Sequence, residues 1–343
     1  MLWTGDNAAS RSITGVGFQP DWVWAKDRST TAWHRLFDSV RGDDGTGMYI
    51  LYSNETAAED PSLGTNGSFS SIDSDGFTIT EGSSSNSAYN GSSSSYVAWN
   101  WKAGGTGVSN TDGSITSTVS ANTEAGFSIV TYTGDGGTGN ASVGTGLSSS
   151  IPISMAMLKR RDSTSEWQVG HVGNQGLNFA YHLELNSTAA SSGSSPYFLA
   201  GQNTTDGSAL NIFTGSRTSS ATYVAYCFQS IEGYSKFGSY TGNGSSNGPF
   251  VYTGFRPAFV IVKRTDTVEQ WHIQDSARSS FNQVTKTLYA NLSNAESDST
   301  NQAVDFVSNG LKIKTSNSGL NASSGTYIYM AFAEQPFKYS NAR

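Results

Sequence analysis

The chain has 343 residues, a formal net charge of −7 and only 14% charged residues, with Gly, Ser, Thr and Asn filling the gap. Its longest basic run is Lys159-Arg160-Arg161, which argues against a phosphate-binding surface and hence against nucleic acid as a partner. Aromatic residues make up 12%, which argues against disorder, and no apolar stretch approaches the ~18 residues that would span a membrane.

Taken in chain order, the text repeats itself. The first copy carries Gly17-Phe18-Gln19-Pro20-Asp21-Trp22-Val23-Trp24-Ala25-Lys26, then Trp33, Asp38-Ser39-Val40-Arg41, Leu51-Tyr52-Ser53-Asn54, Ser74-Asp75-Gly76-Phe77 and Tyr96-Val97-Ala98-Trp99. A middle copy keeps Met157-Leu158-Lys159-Arg160, Trp167, Leu183-Glu184-Leu185-Asn186 and Tyr223-Val224-Ala225-Tyr226, without the Asp-Ser-x-Arg step. The last carries Gly254-Phe255-Arg256-Pro257, Val262-Lys263-Arg264, Trp271, Asp275-Ser276-Ala277-Arg278, Leu288-Tyr289-Ala290-Asn291 and Tyr327-Ile328-Tyr329-Met330. Trp33 to Trp167 spans 134 residues and Trp167 to Trp271 spans 104, the excess lying in Ala103 to Phe127. Repeats of roughly 100 residues predict tandem modules with one fold, each large enough for a core. The boundaries follow: residues 1–104, a linker or connecting strand over 105–126, then 127–236 and 237–343.

Strand patterns dominate. Apolar and polar residues alternate at Phe77-Thr78-Ile79-Thr80, Phe127 to Tyr132 and Leu311-Lys312-Ile313-Lys314. Runs such as Ala258 to Val262 and Tyr327 to Phe332 read as strands buried on both faces. Gly/Asn/Asp/Ser clusters between them read as turns. The expected fold is all-β, three tandem β-sandwich or jelly-roll-like modules related by internal repeat. The recurring tryptophans Trp33, Trp167 and Trp271 are expected in the cores.

Several motifs match patterns of chemistry and read better as turns. Gly134-Asp135-Gly136-Gly137-Thr138-Gly139 has the glycines of a dinucleotide site, and Gly244-Ser245-Ser246-Asn247-Gly248 has the spacing of a nucleophile elbow. Both chemistries need a helix to follow, and extended or Gly-rich text follows instead. Arg41-Gly42-Asp43 is a tripeptide of the integrin-binding type, lost at Arg278-Ser279-Ser280. His34 and His272 each follow a repeated tryptophan and read as periodic features rather than metal ligands, so no metal or other cofactor is expected. The single cysteine, Cys227, lies in an apolar run and reads as a small buried hydrophobe. The pairs Asp38 with Arg41 and Asp275 with Arg278 are read as ion pairs fixing the loop after the tryptophan strand. Tyr89, Tyr197 and Phe198 stand in loop-like text and are candidates for stacking on a sugar face. No catalytic constellation repeats, and an enzyme is not expected.

Gly17 to Lys26, Leu36 to Arg41, Phe69 to Phe77, Tyr96 to Ala103, Asn110 to Ile115, Phe237 to Gly244 and Tyr329 to Glu334 together resemble an uncharacterised repeat family of bacteriophage tail-fibre-like virion proteins, from phages of marine and cyanobacterial hosts. The resemblance implies a virion structural protein, a tail-fibre or appendage subunit whose loops touch the host surface or a neighbouring virion protein. It implies self-association, with a homotrimer as the usual state, and contacts with other virion proteins and with a host glycan or protein, without membrane insertion. It carries over no catalytic residue. The amino terminus shows no secretory signal, which fits assembly in a bacterial cytoplasm and release by lysis. The alternatives are a carbohydrate-binding module or depolymerase, and a capsid decoration, head-fibre or filament subunit.

Overall fold

The computed structural model describes residues 1–45, 47–60, 67–80, 89–174, 179–193, 195–199 and 206–334. The first part of the chain forms β1 (Leu2–Thr4), β2 (Ser10–Thr14), β3 (Trp22–Asp27), β4 (Arg35–Asp38), β5 (Ser68–Asp73), β6 (Gly76–Thr80) and β7 (Ser95–Trp101). Next come β8 (Val108–Asn110), β9 (Ser117–Asn122), β10 (Phe127–Thr133), β11 (Ala141–Gly144), β12 (Ile153–Arg160), β13 (Gln168–His171), β14 (Tyr181–Glu184), β15 (Ser192–Gly193), β16 (Ala209–Ile212) and β17 (Thr222–Gln229). The remainder gives β18 (Ser235–Thr241), β19 (Phe250–Tyr252), β20 (Pro257–Arg264), β21 (Trp271–Asp275), β22 (Lys286–Tyr289), β23 (Ser297–Asp298), β24 (Val304–Val307), β25 (Gly310–Ile313) and β26 (Thr326–Ala333). Among the described residues helix is confined to single turns such as Ser318–Asn321. The fold is nearly all-β.

Three larger sheets run β1-β7-β3-β4, then β15-β14-β13-β12-β17-β10-β9-β8, then β18-β26-β20-β21-β22-β23. Three smaller ones, β2-β6-β5, β11-β16 and β19-β25-β24, accompany them. Pairing between the strands is antiparallel throughout. The central order matches from sheet to sheet: β1-β7-β3-β4, β10-β17-β12-β13 and β18-β26-β20-β21. The stretch read as a linker contributes β8 and β9, which lengthen the second large sheet.

Alternation along the central strands explains their continuous apolar text. On β3, Trp22 and Trp24 enter one core while Val23 and Ala25 enter another. Met155 and Met157 of β12 separate in the same way from Ala156 and Leu158, as do Phe259 and Ile261 of β20 from Val260 and Val262. Side chains on a strand point to opposite faces, so a strand covered on both sides must be apolar at every position.

Three separate cores were expected; the large sheets instead turn one face each onto a single shared core. The other faces build three outer cores. Aromatic rings close the shared core across sheets. Trp22 stacks on Tyr226 with centroids 4.4 Å apart. Trp101 meets Phe259 and Phe332 edge-on at 5.6 and 5.7 Å, and Phe228 lies 6.2 Å from Phe332. A sheet with bulky apolar groups on both faces is left half-covered alone, so the three pack as one body.

Tight turns follow the expected text. Gly76, the first residue of β6, has φ +147°, and a side chain there would collide with the Ile13 carbonyl.

Candidate functional site

The recurring ion pairs lie where two large sheets meet. Asp38 ends β4, and its carboxylate accepts from the backbone N–H groups of Val40 and Arg41 at 3.0 and 2.9 Å and from Arg41 Nε. Tyr226 of the second large sheet donates its hydroxyl to the same carboxylate at 2.7 Å. Arg41 donates onward to the Leu36 carbonyl and to Glu59, each at 2.8 Å. Glu59 then takes Arg161, which follows β12, at 2.8 Å. Burial alone would raise the Asp38 carboxyl, but Arg41 beside it holds it below the usual carboxylate range.

The third and first large sheets meet in the same way. Asp275 accepts from Arg278 Nε at 2.6 Å and from Trp99 Nε1 at 3.0 Å. Arg278 reaches Glu296 at 3.0 Å, and Glu296 takes Arg28 in a two-pronged bridge at 2.7 and 2.8 Å.

Among the described residues, the second and third large sheets meet without an ion pair. His171 stands in register with Asp38 and Asp275, its Nδ1 accepting from Gly173 N–H at 2.9 Å and its Nε2 lying 3.1 Å from the Tyr329 carbonyl. Main-chain bonds fix the correspondence: Glu59 N–H to the Arg161 carbonyl, Glu296 N–H to the Arg28 carbonyl and Ser191 N–H to the Thr265 carbonyl, at 2.7–2.8 Å. Thus Asp-Arg-Glu-Arg at two contacts is answered by His171, Asn174, Ser191 and Thr265 at the third.

The tryptophan repeat is offset by one residue from its sequence reading. Asn186 Oδ1 accepts from Trp167 N–H and Asn291 Oδ1 from Trp271 N–H, at 2.8 and 3.0 Å. Asn54 Oδ1 accepts from His34 N–H at 2.8 Å, so His34, not Trp33, holds the core position. Trp33 is 45% exposed. Trp167 Nε1 donates to the Tyr52 carbonyl and Trp271 Nε1 to the Glu184 carbonyl, each bond crossing from one large sheet to the next. His34 instead receives Trp24 Nε1 at 2.9 Å and is buried against the Tyr289 backbone. His272 therefore has no histidine counterpart in the first copy.

Lys26, Lys159 and Lys263 form a third buried series, with each Nζ donating to main-chain carbonyls. Lys159 reaches the Thr56 carbonyl at 2.8 Å and Lys263 the Thr188 carbonyl at 3.3 Å, again between large sheets. Burial lowers all three ammonium groups to about 8.

Two of the residues expected to stack on sugars cannot do so. Tyr89 is buried in the outer core of the first sheet, edge-on to Phe69 and under the Arg35 guanidinium. Phe198 is 2% exposed, packed edge-on against Phe179. Polar neighbours in the chain hid both, because packing rather than local text decides burial. Tyr197 is half-buried and lines a small polar recess of about 110 Å³ with Arg160, Glu166 and Gln168. Arg41 is fully buried as a side chain, which removes the Arg-Gly-Asp tripeptide from reach. The Gly134–Gly139 and Gly244–Gly248 stretches lead into β11 and β19, strands rather than helices.

An apolar cleft of about 320 Å³ lies between β7 and the third large sheet. Trp99, Trp101, Phe18, Phe259 and Phe332 line it, with Asp275 at its wall. Sequence reasoning missed this cleft, since its sides are more than 150 residues apart in the chain. Among the described residues no cluster of His, Cys, Asp and Glu is arranged to hold a metal ion, and no helix is long and apolar enough to cross a membrane.

A family model covers residues 1–336 of the chain. The chain belongs to the family described as Domain of unknown function (DUF7483). Comparison with curated proteins and with solved structures gave no match.

Proposed function

We propose that this chain is a structural protein of a bacteriophage virion, a tail-fibre or other surface-appendage subunit. It is built as three tandem β-sandwich modules that arose by internal repetition. The observation that carries the reading is the use to which the recurring polar residues are put. Asp38 and Arg41 are buried, Glu59 and Arg161 half-buried, and they and their counterparts are bonded to one another between sheets. A rigid β framework with polar turns suits a particle component that presents loops to a host surface or a neighbouring subunit. The resemblance to tail-fibre-like virion proteins supports the same reading, and a homotrimer is its expected state.

Antibody raised against the purified protein would be applied to density-purified phage particles and to the soluble fraction of the same lysate. The reading expects the protein in the particles, with label on the tail or capsid surface in electron micrographs. Protein found only in the soluble fraction refutes it. Light scattering on the purified protein tests the trimer.

A further inference from the structure

The polar recess beside Tyr197 is a place where the three copies part company. The side-chain oxygens of Asn54, Asn186 and Asn291 meet the N–H groups of His34, Trp167 and Trp271, so the next residues, Arg35, Gln168 and His272, correspond. A second register comes from three tyrosine hydroxyls, which accept from the N–H groups of Gly91, Thr218 and Ala322. Two positions before these stand Tyr89, Ser216 and Leu320. In the first copy the Arg35 guanidinium lies 4.6 Å over the Tyr89 ring. In the third, Leu320 is buried and the His272 imidazole packs so closely on Gly319 that a side chain there would strike it. Both copies fill the spot with their own side chains. The second copy has Ser216 there, its hydroxyl spent on the Tyr197 and Phe213 carbonyls, and Gly215 and Thr218 on either side of it line the recess.

Gln168 lines this recess from β13, with Leu158 of β12 opposite it. It is 2% exposed, and neither its amide oxygen nor its amide nitrogen has a hydrogen-bond partner among the described residues. A buried amide left unbonded is costly and marks a place where a partner group belongs. The recess sits at the Arg160 end of β12 and the Tyr223 end of β17. The described residues next to 175–178 and 200–205 stand at the other end of those strands. Gly207 abuts Ile151 and Gln229, and the N–H of Val172, two residues before Asn174, meets the Ser154 carbonyl.

We propose that this recess is a binding site for a neutral saccharide, taking the edge of one sugar ring. Two adjacent hydroxyls match the Gln168 amide, one donating to Oε1 and the next accepting from Nε2. An ammonium group donates but cannot accept, so it satisfies only half of that amide. An anion is repelled by Glu166, and the guanidinium lining the recess, Arg160, is already held by both oxygens of Asp162 at 2.9 and 3.1 Å. Glu166 accepts from a further hydroxyl, and the Tyr197 ring is the apolar wall on which the C–H side of a sugar packs. A volume of about 110 Å³ equals about four water molecules of liquid, room for part of one ring and not for a peptide strand. The assignment rests on the recess alone and is independent of the virion reading.

The probes are the methyl glycosides of mannose, galactose and glucose, titrated into the full chain and followed by saturation-transfer NMR, with a printed array of neutral glycans alongside. The expected result is saturable binding of at least one, weakened by about tenfold or more for the 6-phosphate and 2-amino derivatives of the sugar that binds. Gln168→Leu keeps a side chain of similar size without the amide and should weaken binding by about tenfold or more. Ser216→Leu, which copies Leu320, should fill the recess and abolish binding. Circular dichroism and the urea midpoint report whether each variant is folded, and either variant alone decides the matter. No saturable binding in solution or on the array overturns the proposal, by leaving the recess to ordered water. Binding that survives Gln168→Leu or Ser216→Leu unchanged also overturns it, as does a charged derivative that binds more tightly than its neutral parent.

Discussion

Replacing Asp38 by Asn changes one oxygen to an amide and keeps the side chain's size. The Asn oxygen can still accept from Val40 and Arg41 N–H, but its amide now faces Arg41 Nε, donor against donor. Arg41 is wholly buried as a side chain and keeps only Glu59 as a counter-charge, at 2.8 Å. Removing one partner from a buried pair leaves an uncompensated charge and costs about 3–5 kcal/mol. The third contact between sheets shows that the geometry also tolerates a neutral set. The combined change Asp38→His, Arg41→Asn, Glu59→Ser and Arg161→Thr, which copies residues 171, 174, 191 and 265, is expected to cost less than Asp38→Asn alone. Urea unfolding followed by tryptophan fluorescence measures both. If Asp38→Asn falls within about 1 kcal/mol of the starting protein, or if the fourfold variant costs more than the single one, the buried-charge argument fails.

Trp167→Ala opens the shared core and removes a bond between sheets, for an expected loss of about 3–5 kcal/mol, whereas Trp33→Ala should cost under about 1 kcal/mol; equal losses would restore Trp33 to the core. Burial lowers His171 to about 4 and His272 to about 3 from the ordinary 6.5. Between those values and 6.5 the unfolded chain binds more protons, so stability is full above 6.5 and falls as pH drops. His171 accounts for about 3 kcal/mol of this by pH 4, and His171→Gln should flatten the profile. Urea midpoints unchanged between pH 7 and 4.5 would contradict it. Burial pushes the Cys227 thiol up to about 12. A disulfide-exchange reagent should therefore leave it untouched in the folded protein and modify it in denaturant, and rapid labelling of the folded chain would count against its burial.

The strands were legible because alternation and turn residues act locally. Phe77-Thr78-Ile79-Thr80 became β6, and Phe127 to Tyr132 lies within β10. The shared core was not legible, since Trp22 meets Tyr226 across some 200 residues of chain that no local pattern connects. The offset at Trp33 has a related cause. The eye aligns tryptophan with tryptophan, while the fold aligns the residue whose N–H meets the Asn54, Asn186 or Asn291 side chain. Trp33-His34 and Trp271-His272 look equivalent, yet Trp271 precedes Asp275 by four positions and Trp33 precedes Asp38 by five. The stretch 105–126 reads as a linker or connecting strand because it is polar, and polar text suffices for β8 at the edge of a sheet and β9 next to it.

The unequal way in which the three large sheets grip one another sets an order for melting. Taking charge out of water costs less as temperature rises, so the contacts made by Arg41 and Arg278 gain on the one made by His171. On warming, the second and third sheets part first. The amides of Ser191 and Glu269, which cross that boundary, then exchange with solvent ahead of those of Glu59 and Glu296.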